Sequence, residues 1–71
     1  MLKITQKIFN DTKTNKNIAY AEVLIINDKY DYKVTFDQNT KKRANVWLRS
    51  LGFRIGEVAP GETVPEKTVT I

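Results

Sequence analysis

Apolar and polar residues alternate from the start of the chain. In LKITQKIF (2–9), Leu2, Ile4 and Ile8 fall on one side of a period-two pattern and Lys3, Thr5 and Lys7 on the other, with Gln6 a polar residue on the apolar side. That period belongs to a strand with one wet face. NDTKTNKN (10–17) has no apolar residue in eight positions and four Asn or Asp. It predicts a hairpin loop longer than the tightest type, because these side chains bond their own backbone and tolerate turn conformations. IAYAEVLIIN (18–27) is the second strand. Its apolar run from Val23 to Ile26 predicts a central strand, or one covered on both faces near its end. NDK turns the chain into YDYKVTF (30–36), where Tyr30, Tyr32, Val34 and Phe36 are expected inward and Asp31, Lys33 and Thr35 outward. Three strands with short connections make an antiparallel meander.

The period then changes. In NTKKRANVWLRSLGF (39–53), Ala44, Trp47, Leu48 and Leu51 recur at spacings of three and four, the single apolar stripe of a short helix. Asp37, Asn39 and Thr40 are all placed to cap its start, and the pattern does not choose among them. Gly52 ends it, Phe53 is set to fold back on Leu48 in a Schellman-type cap, and Arg49 suits the negative end of the helix dipole. FRIGEV (53–58) reads as a fourth strand. APGETVP (59–65) holds both prolines and reads as a loop or edge segment. KTVTI (67–71) alternates Val69 and Ile71 against Thr68 and Thr70, a short fifth strand. The predicted fold class is α+β: a small, mostly antiparallel sheet in the order β-β-β-α-β-(β), one helix packed on one face, and residues 1–71 as one domain. The competing architecture is a small barrel with the helix plugging one end.

Composition narrows the chemistry. A chain of 71 residues buries only about 60% of its unfolded surface. With no Cys and no His it forms no disulfide, thiolate ligand or imidazole base. Its stability is expected from a compact core or from a dimer that shares one. It contains no run of about 18 apolar residues, and the alternating N-terminus lacks the continuous apolar stretch of a signal peptide, so a cytoplasmic protein is expected. The bias toward Lys, Asn, Ile and Asp suits an AT-rich genome, such as that of a low-GC bacterium or its phage. A hydrolytic triad would lack its usual base. Asp28, Asp31 and Asp37 fall in a turn, on a strand face and at the helix start, and do not converge as a magnesium site requires. Gly52, Gly56 and Gly61 lack the spacing of a phosphate loop. The expectation is a non-catalytic protein with no metal and no cofactor.

The functional reading rests on Lys41, Lys42 and Arg43. A helix start carries partial positive charge, and each cation there costs a few tenths to about 1 kcal/mol at low salt. A local rule broken without compensation marks a functional position, and the free N–H groups of a helix start favour an anion. On this pattern Asn45 and Arg49 extend the same helix's outer side, and Arg54 follows its stop. The net charge is +4. Together, Lys41, Lys42, Arg43, Asn45, Arg49 and Arg54 are expected to contact nucleic-acid backbone or another polyanion. Tyr20, Tyr30, Tyr32 or Trp47 would stack on bases where exposed, although the apolar pattern assigns Trp47 to the core and Tyr30 and Tyr32 to the core or its rim. Lys3, Lys7 and Lys33 lie on the polar sheet face, which divides the positive charge between two surfaces. The rival reading is a protein-binding module or inhibitor, of the kind a phage or mobile element uses to block a host enzyme. It would act through an unpaired sheet edge, with LKITQKIF and KTVTI as the candidate edges. A homodimer through such an edge is the third reading.

Overall fold

The computed structural model describes residues 1–71. Its elements are β1 (Leu2–Asp11), β2 (Lys16–Ile26), β3 (Asp31–Phe36), α1 (Lys42–Ser50), β4 (Gly56–Val58) and β5 (Thr68–Thr70). This is the α+β order expected from the periodicities. All strand pairs are antiparallel, in the order β3-β2-β1-β5 with β4 also on β2. The central strand β2 pairs with β1 along one edge, from Leu2↔Ile25 to Asp11↔Lys16. Its other edge is divided: β3 takes Ala21–Ile26 and β4 takes Asn17–Ala19. The sheet path ends at β3 and β5, which do not pair with each other, so the sheet stays open and the barrel alternative does not hold. A fifth strand of three residues has too little backbone to bridge back to β3.

β5 lies beside β1 at Lys3↔Thr70, Ile4↔Val69 and Thr5↔Thr68. Bonds from Leu2 N–H to Ile71 O and from Gln6 N–H to Lys67 O extend the contact at both ends. The two segments expected to offer open edges therefore cover each other over the first half of β1.

The core is one cluster of Ile4, Ala21, Val23, Leu48, Phe53 and Ile55, flanked by Leu2, Ile25, Phe36, Leu51 and Val69. Strand register explains its sheet half, since Ile4 stands opposite Val23 and Gln6 opposite Ala21 on the face that the helix covers. The β3 pattern is only partly realised. Phe36 is drawn in, while Tyr30, Tyr32 and Val34 remain 55%, 49% and 37% exposed. A helix of nine residues is only about 14 Å long, too short to roof the sheet out to its edge. Ile8, at the hairpin end of the same face, is exposed for the same reason.

The helix stops as expected. Gly52 N–H donates to Arg49 O (2.9 Å) and Phe53 N–H to Leu48 O (3.1 Å), with Gly52 at φ +89°. These are the two bonds of a Schellman motif, and Phe53 and Leu48 share the core. The start departs from expectation. The residue before the first helical position is Lys41 (φ −48°, ψ 133°), and no side chain caps the helix. Asp37, Asn39 and Thr40 instead close their own turn. Asp37 N–H donates to Thr40 Oγ1, Asn39 N–H to Asp37 Oδ1 and Thr40 N–H to Asp37 O.

Candidate functional site

The uncapped helix start forms an unneutralised corner. Lys41, Lys42 and Arg43 are all exposed, and the first turn holds no acidic residue. The three ion pairs of the chain lie elsewhere, at Lys16–Glu57, Lys33–Glu22 and Arg54–Glu62. Ala44 and Asn45 are the first residues to bond back, both to Lys41 O, so the N–H groups of Lys42 and Arg43 point out of the helix unpaired. Half a unit of positive dipole charge and three side-chain cations thus face the same solvent.

Asn45 underlies this corner and is not on its surface, which corrects the expected outer placement. It precedes Leu48 by three residues, which turns it toward the core, and it is 7% exposed. Its Nδ2 donates to Asp37 O (3.1 Å) and Thr40 O (3.3 Å), tying the 37–40 turn to the helix and holding Lys41 in position. Its Oδ1 is buried without a partner. Arg49 lies at the far end of the helix, where its Nη2 donates to Ile55 O (3.1 Å). Arg54 belongs to a separate cluster: it pairs with Glu62, and its Nη2 donates to Glu57 O (2.9 Å). Of the six residues singled out by sequence, the structure brings Lys41, Lys42 and Arg43 together. Asn45 supports them from below, and Arg49 and Arg54 are engaged elsewhere.

Trp47 joins the site unexpectedly. It is 39% exposed, and its position four residues after Arg43 makes the two neighbours on the helix surface. The buried stripe is centred nearer Leu48 and Asn45 than the apolar residues alone implied, because the Asn45 amide meets backbone carbonyls of the preceding turn. The sequence signal for this was the three-residue spacing of Asn45 and Leu48, which hydrophobicity alone does not detect.

The opposite sheet face carries Lys3, Lys7 and Lys33 as expected, but Lys33 bonds Glu22 at 3.1 Å and is neutralised in part. Phe9, Ile18, Tyr20, Glu22, Thr35 and Asp37 line a hollow of about 280 Å³ there. No group of three or more acidic, His or Cys side chains is placed to hold a metal ion, and no helix is long and apolar enough to cross a membrane.

The Arg54–Glu62 cluster closes the 59–62 loop. Glu62 accepts from Ala59 N–H (2.9 Å) and from Arg54, and these bonds hold its carboxyl below the ordinary value of 4.5. A lowered folded-state value means that this stabilisation is complete above about pH 4.5 and is lost as pH falls through the folded value. The thermal midpoint is therefore expected to fall on acidification below that point, and Glu62→Gln to flatten part of the fall. Melting curves between pH 6 and pH 3 measure both; identical profiles for the two proteins would remove Glu62 from the account.

No protein-family model, curated protein or solved structure matches this chain, so its own side chains carry the functional argument.

Proposed function

We propose that the chain binds nucleic acid through the phosphate backbone, at the corner made by Lys41, Lys42 and Arg43. One observation carries the reading: three exposed cations stand on an uncapped helix start with no acid in its first turn and no ion pair of their own. A phosphate seated there meets unpaired backbone N–H groups and three cationic side chains, and it relieves their repulsion from the dipole. The turn behind the corner is already bonded, so little ordering accompanies binding. Trp47 adds an aromatic surface one turn along, which suits a strand with unpaired bases.

Trp47 is the single tryptophan, so its emission reports occupancy directly. Titration with single-stranded DNA, single-stranded RNA and duplex DNA at rising salt is expected to show affinity falling steeply. Each lost phosphate contact contributes a logarithmic slope of about −0.7 for single strands and −0.9 for duplex. Lys41→Gln, Lys42→Gln and Arg43→Gln together are expected to reduce that slope by about 2 for single strands and nearly 3 for duplex. The same variant should keep or slightly raise the melting midpoint, because it removes the clash with the dipole. Absence of binding to all three at low salt, or an unchanged slope in the variant, defeats the reading.

A second reading, a protein partner on the outer sheet face, is favoured by the hollow that Phe9, Ile18 and Tyr20 line. It predicts that Phe9→Ser abolishes capture of a nuclease-treated partner while the triple Gln variant retains it.

A further inference from the structure

β3 is an open sheet edge of six residues, paired with β2 alone. Ile26 N–H donates to Met1 O (2.9 Å) and the Met1 amino group to Ile26 O (3.2 Å), so even-numbered residues of β2 face β1 and odd-numbered ones face β3. The register Ile25↔Tyr32, Val23↔Val34 and Ala21↔Phe36 then turns the backbone groups of Tyr32, Val34 and Phe36 toward β2. Those of Asp31, Lys33 and Thr35 point outward, unpaired. β3 contains no proline; its edge-protecting features are the exposed charges of Asp31 and Lys33.

We propose that two copies of this chain pair β3 against β3, antiparallel about a two-fold axis at Tyr32, to make one continuous sheet. The charge pattern selects this register. Centred on Tyr32, Asp31 of each copy stands opposite Lys33 of the other, so the protecting lysine becomes an attraction made twice. Centred on Asp31 or on Lys33, like charges meet face to face. Centred on Val34, Lys33 meets Thr35 and gains no opposite charge. The apolar side agrees. Tyr30 and Tyr32 meet edge to face with ring centroids 4.8 Å apart, and with Val34 they form the exposed aromatic and aliphatic border that the short helix leaves uncovered. In the Tyr32 register, Tyr32 faces Tyr32, and Tyr30 faces Val34 of the second copy, so both borders are buried together.

The test is analytical ultracentrifugation of the full chain without nucleic acid, which makes it independent of the function proposed above. The wild-type chain is expected to dimerise between micromolar and millimolar concentration. Asp31→Lys sets lysines against lysines and Lys33→Asp sets aspartates against aspartates; each is expected to weaken the dimer by about tenfold or more. An equimolar mixture of the two variants should recover the dimer, since every lysine then meets an aspartate. Asp31 makes no ion pair within the chain, so Asp31→Lys tests the interface even if Lys33→Asp, which loses its bond to Glu22, folds poorly by circular dichroism. A wild-type monomer at millimolar concentration, a dimer indifferent to Asp31→Lys, or a mixture of folded variants that stays monomeric overturns the proposal.

Discussion

Gln6→Leu is expected to remove about 2–4 kcal/mol of folding stability, out of roughly 4–10 kcal/mol for a chain of this length. Gln6 is 3% exposed and stands opposite buried Ala21 in the register of β1 and β2. Its Nε2 donates to Tyr20 O and Arg54 O, both at 3.0 Å, and its Oε1 accepts from Arg54 N–H at 2.8 Å. One side chain thus reaches from β1 to β2 and to the segment between α1 and β4. Leucine fills a similar volume but offers no polar atom, and the N–H and C=O of Arg54 lose their partner beside buried Phe53 and Ile55. Each group stranded in this way costs about 1–3 kcal/mol. Urea denaturation should show a lower midpoint with an unchanged slope. A midpoint equal to wild type would mean that water reaches Arg54 and replaces the amide.

Leu48→Ala is expected to cost about 2–5 kcal/mol, the range for emptying a buried leucine site. Leu48 is fully buried and is the single helix residue in the core cluster. Without it only Leu51, at the helix end, still packs against the core, since the bonds of Asn45 reach the 37–40 turn and not the sheet. Trp47→Ala, which removes a larger but partly exposed side chain, should cost less, because the space it leaves opens to water and adds no enclosed cavity. The same denaturation assay ranks the two. A greater loss from Trp47→Ala would reverse the assignment of the helix's inner face and take Trp47 out of the proposed binding corner.

These two residues also show how far the sequence could be read. The period-two and helical stretches and the Gly52–Phe53 stop were legible because each depends on bonds and contacts within a few residues. Gln6 read as an interruption in the apolar side of β1. It is instead the link that binds three segments, and its partner Arg54 is far away in the chain. The proposed binding corner was legible in part. The charge conflict at Lys41–Arg43 is local, whereas the engagement of Arg54 by Glu62 and the inward turn of Asn45 depend on where loops return.

By itself, the sequence determined which segments become strands and helix, their order, and the absence of thiol and imidazole chemistry, because backbone propensity, side-chain period and residue inventory are properties of short stretches. Tertiary structure alone decided what covers each face. It left Tyr30, Tyr32, Val34 and Trp47 at the surface, buried Gln6 and Asn45, and kept the β3 edge open. Hydrophobic period names a face without supplying the area to cover it, and a polar side chain becomes a core residue only when distant backbone brings it a partner.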